Sequence, residues 1–245
     1  MDFTPFLVGF VIMSLSSLAI YAKGSKAPGA IHHTYMHATV PFIAATAYLA
    51  MTFAIGDLVK LDGTVTFVAR YLDWTFTTPI LLAGLVMTAL QRRREMAGYL
   101  VAIVTLDVLM IVAGLVSSLA LVPVIKWIWF GWSCAAFLGV LYILWVPLRA
   151  ANRALGGPMT AAYAKNLTAL SVLWILYPIV FAVGPEGLRS LSNDATSWSI
   201  LVLDVAAKVV YALYASNNVE KAMDDAVADE GVLDEVGTWR ADARR

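Results

Sequence analysis

Seven apolar stretches, at roughly 3–22, 32–56, 66–90, 97–119, 124–149, 160–184 and 195–220, dominate this chain of 245 residues. Each is long enough to cross a hydrocarbon layer of about 30 Å at about 1.5 Å of helical rise per residue. In that layer a helix satisfies its own backbone hydrogen bonds, so the pattern predicts an all-α membrane protein, a bundle of seven transmembrane helices. Hydrophobic residues make up 60% of the chain, charged residues 14%, and the mean hydropathy is +0.76, far from the balance of a soluble domain. The breaks KGSKAPG, GDLVKLDG, QRRREM, LVP, NRALGGP and GPEG mix Gly, Pro and charge as loops do. They leave no room for a separate globular domain. The tight connection at Val122 and Pro123 makes the fourth and fifth helices antiparallel neighbours. The first run follows Asp2 rather than basic residues and has no cleavage-type site, so it is expected to be the first spanning helix rather than a signal peptide.

Formal net charge is zero, which gives no reason to expect nucleic acid as a partner; the distribution says more. One set of loops carries Lys23, Lys26, Arg92, Arg93, Arg94, Arg149, Arg153 and Lys165, the other only Lys60, Lys126 and Arg189. By the positive-inside rule the first set is cytoplasmic, with the N-terminus outside and the C-terminus inside. After Lys221 the chain turns acidic and Gly-interrupted, so residues 222–245 are expected to form a solvated cytoplasmic tail behind a membrane domain of residues 1–221. The single cysteine, Cys134, offers no internal disulfide or metal site and is expected to be a small core residue. No internal repeat, phosphate-cradling loop, His/Glu metal spacing or nucleophile elbow is present, and no metal is expected.

Charges inside the apolar runs are the informative exceptions. LVLDVAAKVVYALY places Lys208 within the seventh run and Asp204 one turn earlier on the same helical face. An unpaired cation there would cost about 3 kcal/mol or more. A buried ion pair or a lysine snorkelling to an interface is one reading; a functional cation is the other. The third run, ARYLDWTFTTPILLAGL, puts Arg70, Asp73 and Thr77 on one face. Two cations and two carboxylates form a balanced set that a low-dielectric interior tolerates.

RYLDWTFTTP in the third helix, LDVAAKV in the seventh and WILYP in the sixth resemble the microbial rhodopsins, the retinal-binding bacteriorhodopsin and proteorhodopsin group, over all seven helices in order. The resemblance implies all-trans retinal held on Lys208 as a protonated Schiff base and isomerised by light to the 13-cis form. It implies Asp73 as primary counterion and proton acceptor, Asp204 as the second carboxylate, Arg70 as the arginine screening both acids, Thr77 as a hydrogen-bond partner of the acceptor and Tyr48 as a partner of the second carboxylate. It further implies that Trp74, Trp174, Tyr177, Pro178 and Phe181 sandwich the polyene, and that Met110 and Gly114 lie near its ring with Phe130, Ser133 and Phe137 on the corresponding wall. Asp107 matches a neutral acid paired with Thr78, and Leu81 a position where leucine accompanies green absorption. Phe130 argues against the gap through which relatives admit an antenna carotenoid, although Gly131 lies one residue away.

Two departures matter. The family's three-residue signature reads Asp73, Thr77, Gly84 here, and Gly84 cannot supply the carboxylic proton donor found in most relatives that pump protons. His37 falls at similar depth, about 16 Å on the cytoplasmic side of Tyr48, and titrates in a useful range; the alternative is an interfacial histidine like His32 and His33. Water, in the space left by Gly84, is the default source of the returning proton. Second, Glu186 matches one member of the family's proton-release pair, whereas the other position is Thr196; Asp194 lies two residues away and is expected to share the exit role with Glu186, or else release is late. The expected function is a light-driven outward proton pump, not an enzyme, with a photosensor acting through a partner protein as the alternative. Ala207, where one class of sensory relatives has threonine, favours the pump. The expected setting is multi-pass in a cell membrane, a bacterial inner membrane, with lipid, protons and further copies of the chain in a homo-oligomer as partners.

Overall fold

The structure, a computed structural model, describes residues 2–24, 31–90 and 93–242. Lys26 and Arg92 of the basic loop set lie outside the described residues. Seven helical rods form a bundle: α1 (Thr4–Gly24), α2 (Ile31–Thr52), α3 (Val68–Ala89), α4 (Arg93–Leu119), α5 (Pro123–Ile143, continued by Leu144–Leu148 and Arg149–Leu155), α6 (Pro158–Val183) and α7 (Asn193–Asp204, continued by Val205–Val210 and Tyr211–Asp242). Among the described residues six segments are long and apolar enough to cross a membrane; α2 is the exception, its polar histidine-bearing start lowering its hydropathy. Large apolar side chains such as Leu18, Phe42, Phe76, Ile128 and Val202 are exposed along the rods, as lipid-facing surfaces require. Conversely, Thr77, Asp107, Asp204 and Lys208 are buried inside.

Several boundaries differ from the sequence expectation. The second helix stops at Thr52, four residues early, and the chain then makes a β-hairpin of β1 (Asp57–Val59) and β2 (Val65–Phe67), paired Asp57 to Phe67, Leu58 to Thr66 and Val59 to Val65. Gly63 takes φ 78° in its loop, a left-handed value that suits glycine. The hairpin was not predicted, because three-residue strands are too short for an alternation to register. The fifth rod runs six residues past 149, through a π-turn at Leu144–Leu148. Pro147 has no N–H to donate, and the Tyr163 hydroxyl donates to the Leu144 carbonyl at 2.6 Å. The seventh rod does not end near 220: residues 222–242 continue as helix, so the expected tail begins as an extension of α7.

The bundle has two different ends. At one lie the hairpin, the α4–α5 connection and the α6–α7 connection; Ser192 caps α7 there, its hydroxyl accepting from the Ala195 N–H at 3.1 Å. At the other lie His33, His37 and Thr88. These are called the hairpin end and the histidine end below.

Candidate functional site

Lys208 sits midway between the two ends, in a π-turn spanning Val205–Val210 that interrupts α7. A π-turn widens the helix locally and is found mostly at functional positions. Lys208 is 2% exposed. Its amine contacts an Asp73 carboxylate oxygen, and Asp204 Oδ1 lies 3.3 Å away. The two acids differ in how their remaining lone pairs are used. Tyr48 donates to Asp204 Oδ2 at 2.9 Å and Tyr177 to Asp204 Oδ1 at 2.8 Å, so both oxygens of Asp204 are occupied. Asp73 Oδ1 is buried without a partner. Tyr48 reaches this position because Gly9 on α1 has no side chain: a Cβ there would overlap the Tyr48 ring.

Thr77 stands one turn from Asp73, its hydroxyl beside the Asp73 carboxyl and donating to the Asp73 backbone carbonyl at 2.9 Å, the habitual bond of a threonine within a helix. Arg70 makes no ion pair with Asp73 or Asp204 among the described residues. Its guanidinium lies 4.8 Å from the Phe67 ring centroid, a cation–π contact on β2, and its Nε is buried without a partner.

From Lys208 a cavity extends between α3, α4, α5 and α6. Trp74, Thr78, Leu81, Met110, Gly114, Phe130, Ser133, Phe137, Trp174, Tyr177, Pro178 and Phe181 all line it. Trp74 and Tyr177 meet edge to face at 5.4 Å, and Phe130 stacks on Phe181 at 5.1 Å. Phe130 thus forms the wall, while a Cβ at Gly131 would meet only open space. Asp107 does not line the cavity but stands behind Thr78. Thr78 Oγ1 lies 2.6 Å from Asp107 Oδ2 and 2.7 Å from the Trp74 carbonyl. A hydroxyl has one hydrogen to give, so both contacts are satisfied when Asp107 carries a proton and donates it. Cys134, expected in the core, lines the cavity instead. A largely apolar, aromatic-lined cavity that reaches one buried amine fits a polyene aldehyde, which could condense with Lys208 and stack along the rings.

The cavity also reaches Arg70, Tyr71, Glu186 and Thr196 at the hairpin end. Glu186 and Asp194 are not brought together. Glu186 is buried and accepts from Ser118 Oγ at 2.7 Å and from the Tyr71 hydroxyl at 3.3 Å. Asp194 is exposed in the first turn of α7, where its Oδ1 accepts from the Asp2 N–H at 3.2 Å. Ser118 was missed from sequence, since nothing marks a serine at a helix end as the neighbour of a distant glutamate. Around this end Asp62 pairs with Arg189 and accepts from the hydroxyl and N–H of Thr64, which hold its carboxyl down at about 2.

At the histidine end, His37 does lie beside Gly84. The expected water space is filled: a Cβ on Gly84 would come 2.9 Å from His37 Nε2 and 3.0 Å from Met36 Cε. His33 is not interfacial but buried, 4.6 Å from the His37 ring centroid, with its Nε2 3.5 Å from Thr88 Oγ1. Both His37 nitrogens lack partners.

Comparison with known proteins agrees with this architecture. Residues 2–222 match the model of the bacteriorhodopsin-like protein family. Archaerhodopsin-2 of Halobacterium sp. (strain aus-2) is 38% identical over 209 residues, covering 82% of this chain and 79% of the relative. Halorhodopsin of Natronomonas pharaonis is 36% identical over 189 residues, covering 74% and 62%. Among solved structures, the thermophilic rhodopsin from Rubrobacter xylanophilus superposes with a TM-score of 0.84 at 34% identity, covering 90% of this chain and 100% of that one. The light-driven proton pump Coccomyxa subellipsoidea rhodopsin gives 0.79 at 34% identity, covering 87% and 95%. With a family match spanning nearly the whole bundle, the chain belongs to the bacteriorhodopsin-like family of seven-helix, multi-pass membrane rhodopsins.

Proposed function

We propose that this protein is a light-driven outward proton pump in which Lys208 holds retinal and Asp73 takes the proton from the Lys208 nitrogen. The observation that carries the reading is the asymmetry of the two acids: Asp73 contacts Lys208 and keeps a free buried oxygen, whereas Asp204 is saturated by Tyr48 and Tyr177. The Lys208 amine here stands in for the nitrogen that is joined to retinal in the holoprotein. Bound retinal supplies a light-absorbing polyene whose isomerisation lowers the proton affinity of that nitrogen. The chain supplies the rest. Asp204, held by two tyrosines, stays as the fixed negative charge, Arg70 orders the space between the acids and Glu186, and the Asp107–Thr78 pair supports the cavity wall as neutral groups. Phe130, stacked on Phe181, fills its place in the cavity wall, which supports a pump without an antenna carotenoid.

The basic loops give the direction: the hairpin end faces outside, with the N-terminus, and the histidine end faces the cytoplasm of a cell membrane. With Gly84 in place of a carboxylate, the Lys208 nitrogen is refilled by water-borne protons from the cytoplasmic side. His37, buried with two free nitrogens, stands beside Gly84 with its neighbour His33, where the two rings could relay them. The photosensor reading stands as the alternative; Ala207 packed beside Lys208 weighs against it mildly. Illumination of cells expressing the retinal-loaded protein decides the matter. Uncoupler-sensitive acidification of the medium, absent from Lys208→Ala, is the expected result. An unchanged external pH with an intact photocycle would overturn the pump in favour of a sensor, and covalent retinal in Lys208→Ala would overturn the whole reading.

A further inference from the structure

Glu186 is a buried carboxylate at the hairpin end, and the side chains that bond it are hydroxyls rather than acids. The Ser118 hydroxyl donates to Glu186 Oε1 at 2.7 Å, and Thr66 Oγ1 lies 2.7 Å from Ser118 Oγ. A hydroxyl that has given its hydrogen to a carboxylate accepts from its next neighbour, so the order runs Thr66 to Ser118 to Glu186. Ser118 and Thr66 are both fully buried. The backbone that carries the serine is anchored, since Lys60 Nζ donates to the Ser118 carbonyl at 2.7 Å and the adjacent Ser117 hydroxyl donates to the Lys126 carbonyl at 2.9 Å. Three separate segments, the hairpin, the end of α4 and the α6–α7 connection, thus converge on one carboxylate that also borders the Lys208 cavity. Thr196, buried and also lining that cavity, has a hydroxyl without a partner and supplies no second acid.

We propose that Ser118, oriented by Thr66, is the positioning residue that makes Glu186 the exit carboxylate, and that proton exit here waits for the proton first received by Asp73. This rests on the pump reading above. Two neighbouring carboxyls share and store a proton because both cannot ionise together; a carboxylate facing a neutral hydroxyl has no such stored proton to give up in advance. Exit is then a plain transfer: the proton taken up at Asp73 passes to Glu186 and from there to external water, and Ser118 and Thr66 keep their own hydrogens throughout.

The test uses full-length, retinal-loaded protein in lipid nanodiscs, with a pH-indicator dye following bulk protons and the infrared carboxyl band following Asp73 after a flash. In the wild type, dye acidification should lag protonation of Asp73. Ser118→Ala should slow exit about tenfold or more, the rate change expected from loss of one hydrogen bond to a charged acceptor, and Ser118→Thr should restore it. Ser118→Asp, which builds a carboxyl pair, should bring exit forward to coincide with Asp73 protonation. In the dark, the isotope-edited carboxylate stretch of Glu186 should shift in Ser118→Ala and also in Thr66→Val, which keeps its volume and serves if the alanine variant does not assemble. Wild-type exit simultaneous with Asp73 protonation, unchanged timing in Ser118→Ala, or an unmoved Glu186 band in both variants would overturn the inference and leave the pump intact. No bulk proton signal from the wild type would overturn the pump reading and the exit role with it.

Discussion

The two halves of the bundle on either side of Lys208 are built on opposite plans. Toward the hairpin end, Asp73, Asp204, Arg70, Glu186, Ser118 and Thr66 follow one another as a run of charged and hydroxyl groups, joined by hydrogen bonds at Asp204 and Glu186 and leaving Asp73 Oδ1 and Arg70 Nε without partners. Toward the histidine end, Leu81, Leu82, Leu85 and Val86 pack into the apolar core, and the titratable groups beside Gly84 are His33 and His37, with three unpartnered nitrogens between them. On the pump reading, the hairpin half holds carboxylates that can receive and pass on a proton, whereas the histidine half has no carboxylate beside Gly84 among the described residues and must admit protons anew in each cycle, so it is the half expected to limit turnover.

The largest test of this contrast is Asp73→Asn. Removal of the one acid with a free oxygen next to Lys208 should reduce light-driven acidification at least about 100-fold, the usual scale for loss of a positioned proton acceptor. Asp204→Asn, which keeps partners for both tyrosines, should retain more transport. Equal losses in the two variants, measured at matched retinal content, would erase the distinction drawn between the acids.

The next effect lies in the other half. Refilling of the Lys208 nitrogen, followed by flash absorbance, should slow as pH rises, because free protons are the source, and should accelerate with added azide. His37→Ala should steepen that dependence if the ring relays protons and leave it unchanged if water alone does. A rate independent of pH in the unmodified protein would show that a fixed internal donor operates at this end after all.

A smaller effect concerns packing. Gly84→Ala forces a Cβ to 2.9 Å from His37 Nε2 and 3.0 Å from Met36 Cε, and overpacking of this kind costs about 1–3 kcal/mol. The thermal midpoint should fall by several degrees, and His37→Ala in the same protein should recover most of the loss. Failure of the second change to recover it would mean that the clash is relieved elsewhere.

The smallest effect is at the rim of the hairpin end. Asp62 has its carboxyl held at about 2 by Thr64, below the ordinary value near 4. A carboxylate with a depressed folded-state pKa stabilises the fold above the unfolded value and loses that contribution as pH falls through the folded one. Hairpin amide protection, corrected for intrinsic exchange, should therefore hold steady from pH 7 to about 4 and decline toward about 2, and Asp62→Asn should flatten the profile.

What the sequence by itself determined follows from forces that act along the chain. A lipid interior obliges each apolar run to be a helix, and helical spacing alone puts Asp204 with Lys208 and Arg70 with Asp73 and Thr77. The family motifs extended this to the residues lining the slot. What only the tertiary structure decided involves residues far apart in sequence. The hairpin over β1 and β2, the second bond to Asp204 from Tyr177, the separation of Asp194 from Glu186, the arrival of Ser118 and Thr66 in its place, and the His37 ring inside the gap left by Gly84 all depend on how rods and connections are set against one another. Hydrogen bonds between side chains act over about 3 Å, and periodicity fixes only the face of a helix, not which neighbour that face meets or at what height.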